Sequence, residues 1–111
     1  MESVNFDRAA DFYDATRGFP AKIATYIGAF MAKEARLSAE SVVLEVGIGT
    51  GRIALPLSKH VKGVAGVDIS FEMQKVLLNK RTDEPVFPVQ ADGYRLPYAD
   101  NAFDAVFVVH V

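Results

Sequence analysis

The stretch that most constrains this chain is Val42-Val43-Leu44-Glu45-Val46 running into Gly47-Ile48-Gly49-Thr50-Gly51. The first part is short, β-branched and almost wholly apolar, which reads as a strand buried on both faces, as in a parallel sheet. Such a strand must be crossed over by a helix before the next parallel strand can form. The glycines give that crossover its turn, because a residue without a Cβ adopts backbone conformations closed to others and lets another group approach closely.

The rest of the sequence keeps the rhythm. Residues 1–19 mix polar and aromatic side chains and are closed off by Gly18 and Pro20. A helix is expected from Pro20, a residue tolerated at a first helical position. Ile23, Tyr26, Ile27, Phe30 and Met31 form its apolar face at three- and four-residue spacing. After the glycines the pattern predicts a helix over roughly Arg52 to His60, despite Pro56, and then a strand Val64–Val67 ending at Asp68. A helix N-capped by Ser70 carries Met73, Val76 and Leu77 to Lys80. Val86 to Gln90 is a third strand, weakened by Pro88. A turn-rich loop spans Tyr94 to Asn101, and Phe103 to Val109 is a fourth strand, apolar except for Asp104. Alternating strands and helices predict an α/β fold with a Rossmann-like, doubly wound, mostly parallel sheet.

A fourth strand with neither a covering helix nor a further partner leaves Val106-Phe107-Val108-Val109 as a bare apolar edge, an aggregation hazard. The expectation is that the 111 residues are the N-terminal part of a longer protein, cut after the fourth strand. The mass of the intact protein tests this.

Composition removes several classes. Half of the residues are hydrophobic and 23% are charged, the balance of a folded globular chain. The net charge of −2 supplies no basic field for nucleic acid or acidic membranes. Absence of cysteine excludes disulfides and thiolate metal sites, and no metal is expected. The acidic start from Met1 to Ala10 is not a signal peptide. No stretch approaches the ~20 apolar residues of a membrane span. A cytoplasmic protein without nucleic-acid or membrane partners is the expectation; its oligomeric state is not legible.

Three alternating glycines, Gly47, Gly49 and Gly51, exceed what a ligand-free strand-to-helix turn needs. The helix N-terminus beyond them offers unpaired N–H groups, so the loop reads as a nucleotide-type site. A dinucleotide fold wants G-x-G-x-x-G, and Arg52 stands where its last glycine belongs. No Gly-Lys-Ser/Thr follows, so a P-loop is excluded. Glu45 places a carboxylate just before the loop, which repels a pyrophosphate and attracts a cation. S-adenosylmethionine carries a sulfonium and an ammonium and no phosphate. Asp68 closes the second strand near the ~20-residue step at which an acid grips ribose hydroxyls. The alternative for Asp68 is a helix-capping role.

Together these residues resemble the class I S-adenosylmethionine-dependent methyltransferases, of the small-molecule type. Val43 through Arg52 is similar to the family's first motif and Gly66-Val67-Asp68-Ile69-Ser70 to its second. Gln90-Ala91-Asp92, Leu96-Pro97-Tyr98 and Asn101-Ala102-Phe103-Asp104 resemble the third motif and the approach to the fourth strand. Phe12-Tyr13-Asp14-Ala15-Thr16-Arg17 is similar to the opening of many members.

The resemblance implies a seven-stranded sheet of which about four strands are present. It divides the chain into a cofactor-lid segment, 1–19, and the N-terminal portion of a methyltransferase domain, 20–111. It implies that Glu45, Gly47, Gly49 and Gly51 line the methionine and ribose part of the cofactor, and that Asp68 holds the ribose. Ile69 and Met73 pack near the adenine, with a plain core role the alternative for Met73. Asp92 meets the adenine amino group, or is a turn residue before Gly93. Tyr13 and Arg17 share a helical face, from which Arg17 pairs with the cofactor carboxylate; a packing tyrosine and a solvated arginine are the alternative. No catalytic residue is named, since methyl transfer runs largely on alignment and needs a base only for a protonated acceptor. His110, just past the fourth strand, is a weak candidate for that base. The acceptor is expected to be a small molecule, met by loops later than Val111, and the isolated piece to bind cofactor weakly. The rival functions are a noncatalytic S-adenosylmethionine-binding module and an NAD-type oxidoreductase domain.

Overall fold

The computed structural model describes residues 21–92, 98 and 101–108. The elements are helix α1 (Ala21–Glu34), strand β1 (Val42–Val46), the one-turn helix α2 (Ala54–Leu57), strand β2 (Gly63–Asp68), helix α3 (Phe71–Lys80), strand β3 (Val86–Gln90) and strand β4 (Ala105–Val108). The four strands form one parallel sheet in the order β3-β2-β1-β4. The chain steps from β1 outward to β2 and β3, then returns to the other side of β1. That reversal is a topological switch point, beside which ligands bind at the carboxyl ends of the strands.

Register sorts the side chains. Val86, Val64, Val43 and Ala105 are lateral neighbours and share one face, with Pro88, Gly66, Glu45 and Phe107 as the second row on it. On this face Val43, Val64 and Val86 join Leu57, Leu77, Ala54 and Ala32 in the main core. Leu57 and Leu77 are at most 1% exposed, and full burial of each contributes roughly 1.5–3 kcal/mol. β1 is buried through its centre, as its sequence predicts.

β3 forms over Val86–Gln90 despite Pro88, and its position explains why. Val64 N–H donates to Pro85 O at 2.8 Å and Ala91 N–H to Asp68 O at 3.0 Å, so the odd-numbered backbone groups of β3 face β2. The Pro88 nitrogen faces away, at the sheet's edge, where no ladder bond is lost. At the opposite edge β4 covers Ala105–Val108, shorter than the expected span from Phe103. Asp104 is its start signal: its N–H donates to Val42 O, and its Oδ2 accepts from Val42 N–H, both at 2.8 Å.

The helices differ more from expectation. Only part of the apolar stripe of α1 packs: Ile27 and Met31 are partly buried, Met31 against the core, whereas Ile23, Tyr26 and Phe30 are 48%, 67% and 49% exposed. The face that packs is made of small residues, Gly28 and Ala32, with Met31 beside them. A methyl group on Gly28 would lie 2.7 Å from the Pro56 carbonyl, so α1 lies directly on the backbone of α2. The predicted helix over Arg52–His60 is a single α-turn followed by a 3₁₀ turn, Ser58–His60. Pro56 is the reason, because its ring opposes the carbonyl four residues back and restricts it to a first turn. α3 follows expectation: Ser70 Oγ caps it by accepting from Met73 N–H at 3.2 Å.

Candidate functional site

The glycine loop leaves the carboxyl end of β1, beside the switch point, and bonds to the carboxyl end of β2. Gly47, Gly49 and Gly51 have φ of 79°, 57° and 82°, the left-handed region that side chains disfavour. These turns aim backbone N–H groups at β2. Gly47 and Ile48 donate to Val67 O at 2.8 and 3.1 Å, and Gly49 donates to Asp68 Oδ2 at 2.8 Å. Asp68 Oδ1 accepts from Ser70 N–H at 2.8 Å. Asp68 therefore fixes the loop with one oxygen and the start of α3 with the other. It is half-buried, and each oxygen retains a second acceptor position for a ligand.

Beneath the loop the fit is steric. Ile48, 4% exposed, lies over Gly66 in β2, where any Cβ would overlap its side chain. Gly66 is a site-building residue that sequence reasoning quoted within a motif without giving it a role; a glycine inside a strand is the signal of such close approach. Met73 is 3% exposed and holds its sulfur against Gly49, so it supports the loop from below, whereas Ile69 is 55% exposed beside Asp68 at the rim. Asp92 is exposed just past the end of β3. Tyr13, Arg17 and His110 lie outside the described residues.

Glu45 is the unusual group. Its side chain is 2% exposed, and among the described residues its Oε1 is the buried side-chain polar atom without a hydrogen-bond partner. Burial, and then the Asp68 charge, push its carboxyl up to about 8, against a smaller opposing pull from Arg52. An unpartnered buried acid costs free energy until a donor or a positive charge meets it. A pyrophosphate brought to this loop would add a further negative charge. A ligand with a cationic centre and a ribose would satisfy Glu45 and Asp68 together, so the residues present fit S-adenosylmethionine.

The family described as methyltransferase domain matches residues 44–111. This chain belongs to that family. The methyltransferase domain is 39% identical to demethylmenaquinone methyltransferase of Porphyromonas gingivalis, over 63% of this chain and 31% of that protein. It is 41% identical to phosphatidylethanolamine N-methyltransferase of Cereibacter sphaeroides, over 62% of this chain and 37% of the relative. The solved structure of the CcbJ methyltransferase from Streptomyces caelestis superposes with a TM-score of 0.70 at 30% identity, covering 92% of this chain and 42% of that one. The chain thus spans about a third of the length of the curated relatives it matches. The cofactor of this methyltransferase domain is S-adenosylmethionine. Among the described residues no helix is long and apolar enough to cross a membrane.

Proposed function

We propose that the full-length protein is a cytoplasmic enzyme that transfers a methyl group from S-adenosylmethionine to a small-molecule acceptor. The observation that carries this reading is the buried, unpartnered Glu45 Oε1 behind a glycine loop that Asp68 holds in place. The names of the relatives, which include a quinone-precursor and a lipid-headgroup methyltransferase, support a small acceptor.

Bound S-adenosylmethionine supplies a methyl carbon activated by a positive sulfur. Glu45 would ionise against the positive end of the ligand. Asp68 would accept from the ribose hydroxyls with the acceptor positions its backbone bonds leave open. Gly47, Gly49 and Gly51 would let the ligand lie against the backbone, with Ile69 and Met73 toward the adenine and Asp92 accepting from its amino group. Residues 1–19 would close over the site as a lid bearing Tyr13 and Arg17, on a domain that begins at residue 20. Held this way, the methyl group is aligned for attack, and proximity supplies most of the acceleration.

Calorimetric titration of the full-length protein with S-adenosylmethionine, S-adenosylhomocysteine and NADH tests the reading. Binding of the first two, with methyl release onto a quinol or amine acceptor, is the expected result. Tight NADH binding without response to the others overturns it. Binding without turnover on any acceptor replaces the enzyme by a noncatalytic module.

A further inference from the structure

Gln74 is a polar residue on the buried side of α3, 6% exposed. Its Nε2 donates to two backbone carbonyls on different strands, Asp68 O at 3.2 Å and Val89 O at 2.8 Å. Nε2 has two hydrogens, so the bridge uses both. Asp68 O also accepts from Ala91 N–H at 3.0 Å. The amide is thus joined to the last residue of β2 and to Val89, the last but one of β3, two residues before Ala91 and three before Asp92. Gln90 Nε2 donates to Ile69 O at 3.2 Å, a second tie between the same two strand ends.

We propose that Gln74 is a positioning residue for cofactor recognition, holding the Ala91–Asp92 rim at a set distance from Asp68 so that purine and ribose are read together. The proposal rests on the S-adenosylmethionine reading. Ribose and purine are joined through one glycosidic bond, so two acceptors that read them together in one conformer of that bond must keep a fixed separation. The β2–β3 ladder ends here, where strands fray, and a buried two-carbonyl bridge removes that freedom. Outer-shell hydrogen bonds that orient metal ligands are worth about tenfold or more in affinity, and an effect of that size is the expectation for an amide that orients a nucleoside-reading rim.

The test compares S-adenosylhomocysteine with S-inosylhomocysteine, in which oxygen replaces the purine amino group. The wild-type protein prefers the first. In Gln74→Met, which keeps length and loses both donors, that preference falls about tenfold, as expected for a supporting contact. A variant that loses thermal stability while keeping the preference ratio has lost a merely structural residue, and the proposal is overturned. A ligand-free measurement covers a variant that fails to fold. In the wild-type protein, the side-chain amide protons of Gln74 should exchange far more slowly than those of exposed Gln90; equal rates mean that no bridge exists. Failure of the wild-type protein to bind either nucleoside refutes the cofactor reading instead, and the exchange measurement still decides the bridge.

Discussion

Ile48 lies on Gly66: the second residue of the glycine loop occupies the space that a side chain in the middle of β2 would need. The loop is thereby joined to the neighbouring strand by shape as well as by the two N–H groups on Val67 O. Gly66→Ala should displace Ile48 and cost about 1–3 kcal/mol, the usual range for overpacking. Urea unfolding measures the loss. S-adenosylhomocysteine affinity should fall with it, because the loop can no longer seat. A variant with unchanged midpoint and affinity would show that the contact is dispensable.

Asp68 accepts from both Gly49 N–H and Ser70 N–H, and substitution disturbs those bonds together with the acceptor positions beside them. Asp68→Asn keeps one acceptor oxygen and replaces the other with a donor, which confronts either Gly49 N–H or Ser70 N–H. Charge-assisted hydrogen bonds are worth roughly 1.5–3 kcal/mol, so cofactor affinity should fall by about tenfold to a hundredfold. Asp68→Ala should weaken binding at least as much. Unchanged calorimetric affinity in both variants would remove Asp68 from the ribose.

Glu45 makes stability depend on pH in an unusual direction for a carboxyl group. Its folded value of about 8 lies above the ordinary 4.5. Its contribution is fully present below pH ~4.5, where folded and unfolded chains are both protonated, and is lost as pH rises toward about 8, where the unfolded chain alone ionises readily. Glu45→Gln should flatten thermal stability across that window, by an amount on the order of a few kcal/mol. Wild-type stability that does not decline between those limits would contradict the burial argument.

The same group links protons to the ligand. A cation favours ionised Glu45, so binding of S-adenosylmethionine below pH ~8 should release a proton and tighten as pH rises. Titration in buffers of different ionisation enthalpy counts the protons. Glu45→Gln should abolish the release; proton release that persists in this variant assigns it to another group.

Ser70 offers a cleaner stability probe. Its buried hydroxyl caps α3 at Met73 N–H. Ser70→Ala should cost about 0.5–2 kcal/mol in chemical denaturation.

Much of this was legible in the sequence because it is local. The period of Val42–Val46, the alternation of glycines and the serine before Phe71 each announce a strand, a turn and a cap from neighbouring residues alone. Asp68 was legible for the same reason, as the acid that ends a strand. The α1 face was legible only in part, at Ile27 and Met31. Periodicity favoured Ile23, Tyr26 and Phe30, but close approach to the backbone at Pro56 admits only small residues, and that demand comes from a helix remote in sequence. Pro56 likewise shortened α2 more than apolar spacing indicated. Gln74 was invisible, since its acceptors are main-chain carbonyls of two other strands. Ile48 and Gly66 were each in view, but their contact depends on the β1–β2 register. Tyr13, Arg17 and His110 rest on the resemblance alone.

Pro88, on the outer side of β3, has a consequence for assembly. A strand approaching that margin meets a ring where it needs a donor, and one rung of any new ladder is missing. The margin formed by β4, from Ala105 to Val108, contains no such block. The sheet therefore has a polarity of growth. It is hindered on the β3 side, next to Asp68 and Asp92, and receptive on the β4 side, so strands can be added there without disturbing those two carboxylates.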